Sequence, residues 1–102
     1  MKKSDLLMAI EDWEESVKWI EHGWDCIEEY THDLMKREYL DEEMEKASGN
    51  EIKFFELRIE SADQRFLKAT YPNNRCVWSD DIVQDEGYSQ EKHWYYYRWP
   101  NV

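Results

Sequence analysis

The sequence predicts a mainly α fold, and three observations carry that prediction. Residues 4–46 contain no proline, apolar side chains recur through them every three or four residues, and the break at residues 47–50 is followed by a second stretch with the same period. The predicted architecture is a long acidic amphipathic helix, a second helix antiparallel to it, and an aromatic C-terminal tail or small hairpin. An α+β fold, with N-terminal helices and a small antiparallel sheet, is the alternative.

The first element covers residues 1–46. Ser4 is the expected N-cap, with Asp5 in the first turn. The apolar residues keep a heptad spacing, which is typical of a helix that packs on another helix. Because the register passes through Gly23, we expect one long helix or two nearly collinear ones, although glycine permits a bend or a break there. The stripe consists of Leu6, Ile10, Trp13, Val17, Ile20, Trp24, Ile27 and Leu34.

Residues 51–70 fit two interpretations. Apolar residues spaced three or four apart, from Ile52 to Phe66, predict a helix, and Ser48 with Glu51 forms a capping box at its start. Alternation of Phe55, Leu57 and Ile59 with charged residues would instead fit a hairpin. We favour the helix because its pattern covers more of the segment.

The remaining segment, residues 71–102, begins with the breakers "YPNN" and contains two aromatic runs, "RCVWS" and "HWYYYRW", that suit short strands. As a strand, the second run would turn Tyr95, Tyr97 and Trp99 towards the helices and leave Tyr96 and Arg98 facing outwards. Residues 1–102 are expected to form a single domain.

The charge of the chain constrains its partners. The net charge is -11, and most of it lies in the first half. This argues against direct binding to nucleic acid or to an anionic membrane and favours a basic protein surface. The sequence contains no apolar run of membrane-spanning length and only two cysteines, so we expect a cytoplasmic protein with reduced thiols.

Five carboxylates are spaced so that they would share one face of the long helix: Glu11, Glu14, Glu21, Asp25 and Glu28. Neighbouring positions on such a face are about 5 Å apart along the axis. The row could therefore imitate the phosphates of a nucleic acid and bind where a nucleic acid would bind. The plainer interpretation is a solvated helix face with ordinary ion pairs.

No motif in the sequence predicts catalysis or a cofactor. His22 with Cys26, and Glu29 with His32, have spacings seen in metal sites, but neither pair has a second half, so no metal is expected. Phosphate-binding loops and nucleophile elbows are absent from the sequence. We expect a protein that is not an enzyme.

The sequence thus predicts a small acidic binding protein that docks on the basic surface of a nucleic-acid-binding protein or complex and inhibits it. Phages and mobile elements use acidic proteins in this way against defence enzymes, which is a likeness of composition only. The expected partner-binding residues are the five carboxylates above together with Tyr96 and Arg98. A homo-oligomeric coiled coil, at its simplest a homodimer with a structural or adaptor role, is the alternative.

Overall fold

A computed structural model describes residues 4–23 and 27–101 of the chain. In chain order, the elements are α1 (Asp5–His22), α2 (Ile27–Lys46), α3 (Gly49–Ala69), β1 (Thr70–Pro72), α4 (Asp80–Glu86), a short 3₁₀ helix (Trp94–Tyr97) and β2 (Arg98–Pro100). The mainly α fold is confirmed, and the small antiparallel sheet of the alternative is present as well.

Helix α1 begins where its sequence predicts. The hydroxyl oxygen of Ser4 accepts a hydrogen bond from the backbone N–H of Leu7 at 3.1 Å, and Asp5 lies in the first turn, where its charge favours the helix dipole. The apolar stripe of α1 is buried, and Ile10, Trp13 and Val17 are completely inaccessible to solvent. This face of α1 forms the centre of the core.

The prediction of one long helix, or of two collinear ones, is wrong. Helix α1 ends at Gly23, whose N–H bonds to the carbonyl of Ile20 and whose φ is +91°. Glycine adopts this conformation readily because it has no Cβ. Helix α2 then returns along α1, and these two helices make the most extensive contact in the fold. Folding back buries two apolar faces that a straight helix would leave exposed.

Replacing Gly23 with alanine is expected to destabilise the protein by about 1–3 kcal/mol. A Cβ at this position meets no atom within 4 Å, so the cost comes from the positive φ. Gly49 provides the matched control, since it lies in the first turn of α3 with equally open space. Alanine at Gly49 should be neutral or stabilising by up to about 1 kcal/mol. Equal losses in urea unfolding of the two variants would contradict a backbone role for Gly23.

Residues Gly49–Ala69 form helix α3, as the favoured interpretation predicted. The Ser48 hydroxyl caps the helix by accepting from the N–H of Glu51 at 3.2 Å. Two ion pairs, Glu14 with Arg58 and Glu21 with Arg65, both advance by seven residues, so α3 runs parallel to α1. The three long helices therefore run up, down and up, and α3 is antiparallel to α2 only.

Of the two strands predicted in the tail, only the end of the second is a strand, as part of β2. In antiparallel register, β1 pairs with β2, with Tyr71 opposite Trp99, whereas residues 75–79 contain no strand. The run "WYYY" is a 3₁₀ helix, in which consecutive side chains do not alternate between two faces. Consequently Tyr95 and Tyr96 are both completely buried. This segment packs on α2 and, through the contact of Trp94 with Phe66, on α3.

Candidate partner-binding surface

The aromatic tail is fixed by a buried arginine on α2. Arg37 is only 6% exposed, and its guanidinium forms a two-point ion pair with Asp63 on α3 at 2.9 and 3.1 Å. The same group lies over the rings of Trp94 and Tyr95, 5.5 and 5.7 Å from their centroids. A cation in this position attracts the ring faces while it remains paired with a carboxylate.

The network continues on both sides of Arg37. Asp63 also accepts a hydrogen bond from the indole N–H of Trp13 at 2.9 Å, while Asp41 pairs with Arg37 and accepts from the hydroxyl of Tyr95 at 3.0 Å. Burial alone would lower the pKa of the Arg37 guanidinium, but the hydrogen bonds and charges of the two aspartates raise it above its ordinary value. Three helices and the tail thus meet in one polar cluster.

Tyr96, predicted to face a partner, faces the protein interior. Its hydroxyl donates to a carboxylate oxygen of Glu38 at 2.7 Å, and its ring packs against Trp78, Tyr88 and His93. The predicted outward orientation was wrong because it assumed the alternation of a strand. Tyr96 therefore belongs to the core, and we leave it out of the partner surface.

Arg98, the other predicted contact of the tail, is half-buried and holds the end of α3. Its Nε donates to the Thr70 hydroxyl at 2.8 Å, and its Nη2 donates to the carbonyls of Leu67 and Thr70 at 3.2 and 2.9 Å. Burial lowers the pKa of this guanidinium. The carbonyl of Arg98 also accepts from the Tyr30 hydroxyl at 2.6 Å. The predicted outward side chain is thus a cap for the last carbonyls of a helix.

Several tyrosine hydroxyls are protected from ionisation. Burial raises the pKa of Tyr30, Tyr95 and Tyr96 well above the ordinary value near 10. Burial, with the nearby charge of Glu38, raises the pKa of Tyr88 to about 12. In the folded protein these hydroxyls keep their protons at pH values where an unfolded chain releases them.

The protein is therefore expected to lose stability as the pH rises above about 10. There the unfolded state binds fewer protons than the folded state, so each further rise in pH favours unfolding. In an alkaline titration, the part of the tyrosinate absorbance that comes from the buried tyrosines should appear together with the loss of ellipticity. Tyr96→Phe removes one of the protected hydroxyls and should make the fall in stability shallower. Ionisation of all tyrosines near pH 10 without unfolding would contradict the buried network.

The predicted acidic row does not stand free on one helix. Arg58 forms a two-point pair with Glu14, both distances 2.8 Å, and Arg65 does the same with Glu21 at 3.0 and 2.6 Å. The hydrogen bond from Arg65 is the main reason that the pKa of Glu21 is lowered. Two of the five carboxylates of the predicted row are thus matched by arginines of α3.

The other members of the row also depart from the prediction. Glu11 is half-buried on α1, and its charge contributes to raising the pKa of Arg58. Glu28 is exposed but lies on α2, beyond the turn at Gly23, so it does not continue the face of α1. Asp25 lies outside the described residues. The structure therefore separates residues that the heptad spacing placed on one face.

The surface remains acidic although some of its carboxylates are paired with arginines. The described ranges hold fifteen exposed carboxylates against five exposed lysines. The chain has five arginines, and every one of them has partners within the protein. In addition to the four arginines described above, Arg75 lies 5.3 Å from the centroid of the Trp99 ring. The surface thus offers few cations to a phosphate and many carboxylates to a basic partner.

A groove lined mainly by apolar side chains lies between α2 and α3. These two helices approach each other much less closely than either approaches α1, and Trp94 closes one end of the gap. The groove has a volume of about 510 Å³. Its apolar side chains are Met44, Ile52, Ile59, Leu67 and Trp94, and its polar ones are Glu56, Glu60, Asp63 and Gln64. Asp63 already pairs with Arg37, so the exposed Glu56 and Glu60 form an acidic rim.

Sequence reasoning missed both the groove and the arginine cluster. Ile52 and Ile59 were assigned to the helix–helix face, whereas Ile52 is only partly covered and lines the groove. Arg37, Asp41 and Asp63 looked like ordinary surface charges because nothing local marks them as buried. The one available signal was the group of tyrosines in the tail, whose hydroxyls need acceptors once the rings are buried.

Metal ligation and membrane insertion find no support in the described part of the chain. His22 bonds to the carbonyl of Lys18, and Cys26 is not among the described residues. Between residues 4–23 and 27–101, histidines, cysteines and acidic residues nowhere gather in threes as a metal would require. Nor does any helix in these ranges combine the length and apolar character needed to cross a bilayer.

Comparison with known proteins adds no assignment. No protein-family model, curated protein or solved structure matches the chain. The surface is therefore interpreted from its own geometry, which combines an apolar groove, an acidic rim and arginines engaged within the fold.

Proposed function

We propose that the protein is a non-enzymatic binding protein that docks on the basic surface of a protein partner and inhibits the partner by covering that surface. The groove between α2 and α3 carries this proposal, because it places partly exposed apolar side chains beside the exposed carboxylates of Glu56 and Glu60. Its rim residues Glu56 and Glu60 are one helical turn apart, about 6 Å along the axis. They attract cations, while the groove accepts apolar side chains.

The complementary partner is a basic amphipathic helix. Such a helix places leucine-like side chains at intervals of three and four residues into an apolar groove and keeps lysine or arginine at its edges. Ile52, Ile59 and Leu67 on α3, with Met44 on α2, would receive the apolar side chains. The net charge of -11 would accelerate the encounter and make it sensitive to salt.

A synthetic amphipathic helix of leucine and lysine is a direct probe of this proposal. Calorimetric titration should give saturable binding to the protein that weakens with salt. The double variant Glu56→Lys, Glu60→Lys should bind at least about tenfold more weakly, which corresponds to about 1.4 kcal/mol. The control Glu15→Lys, Glu42→Lys changes the net charge equally, at exposed positions that do not line the groove. Its affinity should fall by less than about threefold.

Two outcomes of this titration would reject the groove as the docking site. One is the absence of saturable binding, and the other is an equal loss of affinity in the two charge-reversed variants. In the second case, the long-range charge of the protein alone would account for the binding.

Inhibition has a separate readout. The same leucine–lysine helix binds a fluorescently labelled DNA duplex through the phosphates. Addition of the protein should release the duplex and lower its fluorescence anisotropy, and the variant with lysine at positions 56 and 60 should release much less. Formation of a ternary complex, with the anisotropy unchanged or raised, would contradict inhibition by occupation.

Self-association remains a second candidate for one specific reason. The described part of the heptad stripe is covered by the chain itself, so the observation that first suggested a coiled coil no longer supports it. However, Phe54 and Leu57 on the outer face of α3 are 81% and 80% exposed. Sedimentation equilibrium of the wild type and of Phe54→Gln, Leu57→Gln tests whether a second copy covers them. A wild-type monomer at the highest concentration reached would dismiss this candidate.

A further inference from the structure

A second cleft, which shares Trp94 with the groove, differs in chemistry from the acidic surface around it. It has a volume of about 550 Å³, which is within the range of small-molecule sites. No carboxylate from residues 4–23 or 27–101 lines it, although the chain is strongly acidic. Its walls consist of Pro72, Asn73, Asn74, Gln90, Trp94, Tyr97 and Arg98.

Arg98 supplies a positive charge that no carboxylate among the described residues pairs with. Arg37, Arg58 and Arg65 are each paired with at least one carboxylate, whereas the half-buried Arg98 bonds only to neutral oxygens of Leu67 and Thr70. Those bonds use its Nε and Nη2. No described residue accepts a hydrogen bond from its Nη1. A partly desolvated cation with an unused donor group favours an anion beside it.

Amide groups add further donors around this cation. Asn73 accepts from the N–H of Arg75 through its side-chain oxygen, which leaves its NH₂ group unused. The side chain of Asn74 makes no hydrogen bond with any described residue, and Gln90 makes only a long one, 3.5 Å to the carbonyl of Asn74. Amide donors and one cation therefore line a cleft to which the described residues contribute no carboxylate.

Two aromatic rings complete the cleft. Trp94 and Tyr97 line it, and the Tyr97 hydroxyl is already fixed by donating to the carbonyl of Tyr88 at 3.1 Å. A ring held in this way offers its face or edge rather than its hydroxyl. Flat ligands gain from contact with such rings, both by apolar burial and by stacking.

We propose that this cleft binds a small molecule that carries a carboxylate or a phosphate next to a flat ring. The anionic group would accept hydrogen bonds from Nη1 of Arg98 and from the amides, and the ring would lie against Trp94 and Tyr97. The site is separate from the protein-docking groove, with which it shares only Trp94.

Four probes separate the parts of this proposal: adenosine 5′-monophosphate, benzoate, inorganic phosphate and adenosine. In titrations followed by ¹H–¹⁵N NMR, the probes with both an anion and a ring should perturb the side-chain amides of Asn74 and Gln90 and bind more tightly than phosphate or adenosine. Tighter binding of the nucleotide than of benzoate would identify phosphate ligands, and the reverse would identify carboxylates; either order supports the site.

A matched pair of variants tests the location. Gln90→Glu places a negative charge in the cleft, whereas Gln84→Glu makes the same change at an exposed position outside it. The first should weaken binding of the tighter probe at least about tenfold and the second less than about twofold. The proposal is overturned if neither anionic ring probe binds below about 10 mM, if adenosine binds as well as its phosphate, or if both variants lose affinity equally.

Discussion

Replacing Arg37 with alanine is expected to destabilise the protein by about 3–5 kcal/mol, because it leaves a buried carboxylate without its cation. Asp63 has a side chain only 18% exposed and would keep the indole of Trp13 as its one remaining partner among the contacts described above. The rings of Trp94 and Tyr95 would also lose their contact with the Arg37 guanidinium. Urea unfolding should report a lower midpoint, and near-ultraviolet circular dichroism a changed aromatic environment.

Arg58→Ala is the control for this effect. It removes the same side chain from an equally well-formed two-point pair with Glu14, but the Arg58 side chain is 43% exposed. Solvent screens such a pair, so the expected loss is at most about 1 kcal/mol. If the two arginine variants unfolded at the same urea concentration, the buried cluster would not be the element that holds the tail.

Replacing Tyr96 with alanine is expected to cost about 3–5 kcal/mol, the usual effect of emptying a buried aromatic position. The ring is completely buried, and its hydroxyl supplies the short hydrogen bond to Glu38. Truncation would therefore leave a cavity, and the half-buried Glu38 carboxylate would keep only the longer hydrogen bond from the Tyr88 hydroxyl, at 3.4 Å. Thermal unfolding measures the loss directly.

Tyr71→Ala gives the matched control for Tyr96. Tyr71 lies in β1 opposite Trp99 and is 45% exposed, so its loss is expected to cost about 1 kcal/mol or less. Similar losses for the two tyrosines would mean that the tail lies against the helices without forming part of the core. A large loss only at Tyr96 would establish that the predicted outward side chain is a core residue.

The periodicity of apolar residues predicted the features that belong to a single helix. The cap at Ser4, the buried face of α1 and the helical state of residues 49–69 all follow from residue spacing and side-chain chemistry. The turn after Gly23 did not follow, because a heptad pattern continues through a turn if the second helix resumes the same register. Only the contact between α1 and α2 distinguishes a folded hairpin from a straight helix.

The tail and the acidic row failed for a related reason. Three consecutive tyrosines fit a strand and a 3₁₀ helix equally well. The carboxylates that accept hydrogen bonds from the Tyr95 and Tyr96 hydroxyls lie more than fifty residues away in sequence, so no local pattern indicates them. Glu14 and Glu21 are seven residues apart, as are Arg58 and Arg65, so the signal for their pairing was present. That equal spacing predicts the two ion pairs only when α1 and α3 are known to run parallel.

The central claim is that a basic amphipathic helix docks in the groove between α2 and α3. Methyl NMR of the protein, titrated with the leucine–lysine helix, locates the contact without any substitution. The methyl signals of Ile52, Ile59 and Leu67 should shift most, and those of Leu57, which points away from the groove and is 80% exposed, should stay in place. Large shifts at Leu57 with little change at Ile52 and Leu67 would place the partner on the outer face of α3 and contradict the claim.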